Sequence, residues 1–234
     1  MLAAGARVAL PEAAAHHAAR VLRLDTGAAV TLFDGLGGEY PGVIAVNSRA
    51  VEIKLEVNDP VERESPLAIE LVQGISSGDR MDFTVQKAVE LGVTAIHPVI
   101  SERSVVKLSG ERAEKRVLHW QQIAIAACEQ CGRNRVPTVA GIRSLDHFLA
   151  ACLAEGVGSL RWLLSPLAEN ALRTMARPGA TVQLLVGPEG GFSDGERAAT
   201  RAAGFSAVGL GPRVLRTETA ALGALAAISA LWED

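Results

Sequence analysis

Residues 184 to 196, LLVGPEGGFSDGE, pass from an apolar run (Leu184, Leu185, Val186) through a loop holding Gly187, Pro188, Gly190 and Gly191 into a helix start. Ser193 with Glu196 three positions later forms a capping box, which satisfies orphan amides at a helix N-terminus reciprocally. A second junction follows the same plan. In VGLGPRVLRTETAALGAL, Gly209 and Gly211 close a strand, and Thr217 and Glu218 stand where a helix begins. Two strands that each feed a helix predict a parallel sheet with helical crossovers, and in such sheets ligands bind at the carboxyl ends of the strands. Two loops of this kind can wall one pocket from both sides.

The spacing disfavours phosphate as the occupant. The Gly-x-Gly-x-x-Gly pattern is absent, no Gly-Lys-Ser/Thr occurs, and Glu189 would set a carboxylate beside an anion. A nucleoside without phosphates fits better; the plain alternative is a tight turn whose glycines supply positive φ. A third segment, EQCGRNR (residues 129 to 135), ends a helix at Gly132 and carries Glu129, Arg133 and Arg135 toward the same strand ends.

Upstream the hydrophobic period is different. VEIKLEV (residues 51 to 57) alternates strictly, which is a half-buried strand; AAVTLFDG and GEYPGVIAVN precede it, so a small antiparallel barrel or meander is expected. NDPVERESP (residues 58 to 66) is polar, holds two prolines and reads as a linker, so the domains are expected to span 1–64 and 65–234. Beyond it LAIELVQGI, DRMDFTVQKAVELG and VTAIHPVI read as strand, helix and strand. The helix near residues 110 to 130 places Val117, Trp120, Ala124 and Ala127 on one stripe, and the last helix is apolar nearly all round, as if buried by its own domain or a second subunit.

A chain of 234 residues that is 49% hydrophobic can bury a sizeable core. No apolar run reaches the roughly 18 residues of a membrane span, and the N-terminal residues lack a leader pattern, so no membrane association and a cytoplasmic location are expected. Three cysteines fit a reducing compartment. Cys128 and Cys131 have no second pair to make a zinc site, and His16 and His17 lack spaced partners, so no metal is expected. The net charge of −3 argues against a protein that simply coats nucleic acid. Basic residues do cluster locally: Arg103, Lys107, Arg112, Lys115 and Arg116; Arg133 and Arg135; Arg213 and Arg216.

Taken in order along the chain, HHAARVLRL, LFDGLGGEY, MDFTVQKAVELGV, SERSVVK, ACEQCGRNRVP, VGPEGGFSDGE and LGPRVLRTETA resemble the bacterial 16S ribosomal RNA uracil-N3 methyltransferases, which belong to the SPOUT superfamily of trefoil-knotted S-adenosylmethionine (SAM) enzymes. The resemblance implies an α/β fold: a small N-terminal PUA-like β-barrel for RNA and a C-terminal SPOUT domain, a mostly parallel sheet with a deep trefoil knot. It implies a homodimer that methylates N3 of one uridine of 16S rRNA, at position 1498 in the usual numbering of that RNA, within the small ribosomal subunit. It also maps the cofactor pocket onto Leu185, Gly187, Pro188, Glu189, Gly190 and Gly191 on one side and Leu210, Gly211, Leu215, Arg216 and Thr217 on the other. The family opens on a strand with Arg and aromatic residues, whereas MLAAGARVAL offers only Arg7, which leaves that strand unsupported.

Loss of the N3 proton leaves an anion spread over the uracil carbonyls, which a cation can stabilise. Arg216 is the expected catalytic cation, with Glu129 as candidate proton acceptor, since arginine cannot act as a base. Arg20, Arg23, Arg103 and Arg133 are the expected RNA contacts. Two other readings compete: a non-catalytic ribosome- or RNA-binding module on the same fold, and a nucleotide-dependent enzyme of ordinary doubly wound type, which the missing phosphate signature disfavours.

Overall fold

A computed structural model of the chain describes residues 2–47, 50–106, 108–156 and 158–233; Lys107 of the basic cluster lies outside them. The chain divides into two compact units, one of Met1–Glu64 with Gly132–Val136 and one of Ser65–Cys131 with Pro137–Asp234.

The first unit holds β1 (Arg7–Ala9), α1 (Glu12–His16) running into a π-helical turn (His17–Val21), β2 (Ala29–Leu32), β3 (Tyr40–Val46) and β4 (Val51–Leu55). The antiparallel sheet runs β1-β4-β3-β2, so β2, β3 and β4 form a meander and β1 adds to the far edge of β4. The N-terminal strand therefore forms despite its composition: Arg7, Val8 and Ala9 face Lys54, Ile53 and Glu52, and backbone pairing asks little of the side chains. Alternation in β4 sends Val51, Ile53 and Leu55 inward, where they meet Ile44 of β3 and Ala18 of the π-helical turn.

The stretch that reads as a linker is tied down. Asp59 pairs with Glu39 through two backbone hydrogen bonds of 2.8 Å, and Arg63 donates to the Glu39 carboxylate (2.9 Å) and the Gly132 carbonyl (3.0 Å). Arg133 grips Glu64 with two donors, Nε reaching Oε1 at 2.9 Å, and Asn134 donates to the Val61 carbonyl (2.7 Å). The polar, proline-bearing composition marks an absence of regular structure, and ion pairs supply the order instead.

The second unit is built as the strand-and-helix alternation requires: β5 (Ile69–Gly74), α2 (Asp79–Glu90), β6 (Ala95–Ile100), α3 (Gly110–Cys131), β7 (Thr138–Val139), β8 (Arg143–Ser144), α4 (Leu145–Glu155), β9 (Leu160–Leu164), β10 (Asn170–Ala171), β11 (Val182–Val186), α5 (Asp194–Ala202), β12 (Ser206–Gly209) and α6 (Thr217–Trp232). All pairings are parallel, in the order β10-β12-β9-β11-β5-β6-β7, with β8 also on β6. Central β11 is buried along its whole length, which is why Val182–Val186 reads as a continuous apolar run rather than an alternation.

One face of this sheet packs Val72, Val99, Leu163 and Leu185 against Phe148, Leu149 and Cys152 of α4 and against Phe192 and Phe205. In α3, Trp120, Ala124, Ala127 and Cys128 are buried and Val117 is half-buried, as the stripe predicts. The Trp120 indole donates to Asp82 Oδ1 of α2 (2.9 Å), and His119 meets Oδ2 of the same carboxylate (2.7 Å). After β12 the chain returns as α6, which packs on α2 and β11 in the middle of the sheet. That return fits the knotted class the resemblance implies. Ala221, Ala224, Leu225 and Ile228 of α6 are buried, whereas Ala226, Ala230 and Leu231 remain exposed.

Candidate active site

At the carboxyl ends of β9, β11 and β12 the second unit encloses a pocket of about 550 Å³, a volume suited to a nucleoside-sized ligand. Three loops wall it: residues 163–167 after β9, 186–192 after β11 and 208–217 leading into α6. Leu163, Val186, Val208 and Leu210 give it an apolar lining, and five arginines (Arg80, Arg103, Arg197, Arg213 and Arg216) line it with two carboxylates (Glu189 and Glu218).

The second and third walls are stitched together from below. Gln73, buried at the end of β5, donates to the Gly74 carbonyl (2.9 Å) and to Thr217 Oγ1 (2.8 Å); the Thr217 hydroxyl in turn donates to the Gly187 carbonyl (2.6 Å). A threonine at the first position of α6 thus holds the glycine loop to the helix N-terminus, whose dipole points into the same pocket.

The glycine loop needs its glycines for two different reasons. A Cβ on Gly190 would lie 2.9 Å from Arg103 Cβ and 3.1 Å from the Arg103 carbonyl, so no side chain fits. Gly191 sits at φ +63°, a region L-residues adopt at a cost, and a Cβ there meets nothing within 4 Å. The capping box is present: Glu196 N donates to Ser193 Oγ (3.2 Å) and Ser193 N to Glu196 Oε2 (2.8 Å). The other oxygen of Glu196 accepts from the Glu102 amide (2.8 Å), which fastens this loop to the one after β6.

Glu189 brings its carboxylate to Ser77 and Arg80 at the start of α2. Its Oε1 accepts from the Ser77 amide (2.9 Å), the Ser77 hydroxyl (3.0 Å) and Arg80 NH1 (2.9 Å). Burial opposes its ionisation, but these donors, with the Glu189 amide itself, outweigh burial and hold the carboxyl below the usual range.

Of the residues singled out by sequence, Gly187, Pro188, Glu189, Gly190, Gly191, Leu210, Gly211, Leu215, Arg216, Thr217 and Arg103 line this one pocket. Leu185 does not. Side chains alternate along β11, so Leu185 enters the core cluster while Val186 lines the pocket. Glu129 is exposed near the end of α3 and is not among the lining residues. Arg20, Arg23 and Arg133 belong to the first unit. There Arg20 and Arg23 are exposed, Arg23 at φ +52° two residues past the π-helical turn, and Arg133 is 5% exposed with its guanidinium on Glu64.

Sequence reading missed Arg80, Arg197 and the wall after β9. The Ser165-Pro166 turn following an apolar strand was a usable signal for that wall. Arg80 carried none, because it lies 109 residues from Glu189. Among the described residues no cluster of His, Cys, Asp and Glu could hold a metal ion, and no helix is long and apolar enough to cross a membrane.

A parallel α/β unit with its pocket at the strand ends, joined to a small antiparallel unit, is the arrangement two family descriptions match. The RNA methyltransferase domain covers residues 63–229, and the RNA methyltransferase PUA domain covers residues 10–56. The chain belongs to this family of RNA methyltransferases. It is 32% identical over 97% of its length, and 92% of the relative's, to the ribosomal RNA small subunit methyltransferase E of Buchnera aphidicola. The solved methyltransferase E of Neisseria gonorrhoeae, bound to S-adenosyl methionine, is 44% identical with a TM-score of 0.91, over 99% of this chain and 94% of that one. A Legionella pneumophila structure described as a methyltransferase complex with bound SAM is 40% identical with a TM-score of 0.93, over 100% of this chain and 96% of that one.

Proposed function

We propose that this chain binds SAM in the pocket of its second unit and methylates N3 of a uridine in 16S rRNA of the small ribosomal subunit, position 1498 by the family's pattern. The observation that carries the reading is the pocket itself: glycine-loop backbone on one wall, the N-terminus of α6 on the other, and arginines along the lining. Backbone walls suit an adenosine, because Gly191 and Gly211, one on each loop, leave open space where a Cβ would project. Glu218, whose Oε2 is buried without a hydrogen bond among the described residues, is the acceptor for a cationic portion of the ligand. Bound there, SAM supplies an electrophilic methyl group on its sulfonium sulfur.

The protein's own residues then act on the uracil. Arg216, the exposed N-cap of α6, has no ion pair among the described residues, so its guanidinium is available to the negative charge that develops on the carbonyl oxygens as N3 loses its proton. Positioning does the remaining work, since an in-line displacement needs aligned reactants more than a strong base. Glu129 could take the N3 proton only from a second subunit or after a rearrangement, and solvent is the simpler acceptor. A homodimer would cover the exposed Ala226, Ala230 and Leu231 of α6. Arg20 and Arg23, exposed on the first unit, are the proposed RNA-backbone contacts there, and the compartment is the cytoplasm, where ribosomal subunits are assembled.

The test is methyl transfer from labelled SAM to small subunits lacking the modification, followed by nucleoside mass spectrometry. N3-methyluridine at one site supports the reading; methylation of another atom or of tRNA overturns it.

A further inference from the structure

A chain of net charge −3 sets five guanidinium groups against two carboxylates around one pocket. The cofactor proposed for that pocket carries one carboxylate beside its positive sulfonium and ammonium groups, and so can occupy only part of such an excess. The remaining cations suit a second, more anionic partner.

The five arginines are not equivalent. Arg197 is spent on Asp194 and the Phe192 carbonyl. Arg80, in the first turn of α2, and Arg103, in the loop after β6, settle on consecutive residues of the glycine loop: Arg80 NH1 on Glu189 Oε1 at 2.9 Å, Arg103 NH1 on the Gly190 carbonyl at 3.2 Å. Each is thereby aimed while most of its donors stay open. Arginine has five N–H donors, and no bond to Nε or NH2 of Arg80 exists among the described residues, with its side chain 44% exposed. Glu189 engages only NH1, through an oxygen it shares with the Ser77 amide and hydroxyl, so the rest of the guanidinium fork is left for another acceptor. Nor does the loop need the pair for stability: an exposed ion pair contributes about 0–1 kcal/mol, and Ser77 alone would hold the carboxylate.

We propose that Arg80 is a substrate contact that, beside Arg103, binds a backbone phosphate of the RNA strand presenting the target uridine to the pocket. This rests on the RNA-methylation reading above and adds a residue to it. Glu189 positions the guanidinium, so the loop that walls the cofactor pocket also aims the group that grips RNA.

The experiment uses the full chain and a fluorescein-labelled, uridine-containing RNA hairpin, with binding measured between about 50 and 200 mM salt in saturating S-adenosylhomocysteine. Removing one protein–phosphate interaction flattens the plot of log affinity against log salt by about 0.7 to 0.9. Arg80→Ala is expected to weaken RNA binding several-fold, flatten the slope by that amount, raise KM for RNA and leave the cofactor Kd within about twofold. Arg80→Lys, which keeps the point charge but not the fork, restores the slope and part of the affinity. An Arg80→Ala protein with unchanged slope and unchanged KM for RNA overturns the proposal, and so does a variant whose defect lies in cofactor affinity alone. If the wild-type chain methylates no RNA, the function reading fails separately, and the salt slope still reports whether Arg80 touches phosphate.

Discussion

Arg133 and Arg216 show how one residue type serves two ends. Arg133 is buried with both forks on Glu64, and removing it strands a half-buried carboxylate. Arg133→Ala is therefore expected to destabilise the first unit by about 3 kcal/mol, read as a lower urea midpoint. Arg216 is exposed at the pocket, and its side chain makes no ion pair among the described residues. Arg216→Ala is expected to keep the melting temperature and the SAM affinity and to lower kcat about 100-fold or more, the effect of losing one donor aimed at developing negative charge. An unchanged kcat would remove it from the mechanism. The two roles were not separable in the sequence, where both arginines stand in short basic clusters, because burial is decided by a glutamate 69 residues away.

At the scale of elements, a polar ladder crosses the sheet beneath α4. Arg161 of β9, Gln183 of β11 and Glu70 of β5 stand opposite one another, and His97 of β6 lies 3.4 Å from the Glu70 carboxylate. Arg143 NH2 lies 3.4 Å from Nδ1 of the same ring. The His97 contact, with help from Gln183 and Arg143 and against the cost of burial, holds the Glu70 carboxyl below the usual range. A depressed carboxyl stabilises the fold fully above its unfolded pKa of about 4.3 and loses that contribution as pH falls through the lower native value. Urea midpoints measured from pH 7 down to about pH 2 are expected to fall less steeply for Glu70→Gln than for the wild type. The glycine loop gives the complementary prediction. Gly190→Val drives a side chain into Arg103, so calorimetry is expected to show no SAM binding while the first unit melts as before. Alternation in Val51–Leu55, the α3 stripe and the Ser193–Glu196 box were all legible, because each is a local pattern with one structural outcome. Arg80 in the pocket wall and Gly132–Val136 within the first unit were not, because both depend on where distant loops come together.

For the whole molecule, the proposed function divides its labour between the two units. The parallel sheet ends its strands in loops that need little side chain to accept a nucleoside, and the antiparallel unit, matched by the PUA description, leaves Arg20 and Arg23 in solvent. A strand order with β11 central and α6 returning over β11 puts loops from distant parts of the chain around one pocket. Periodicity could not have revealed that return, since the path of the chain between distant elements leaves no mark on hydrophobic spacing. The resemblance, carried by long motifs in order, implies a knotted class with which that return is consistent. The measurement that tests the account most directly is titration calorimetry of the full chain with SAM, against ATP and NAD, on the same protein used for methyl transfer to unmodified small subunits. Saturable binding of SAM alone, with one uridine methylated at N3, is the predicted result; no SAM binding, or preference for a phosphate-bearing nucleotide, would contradict it.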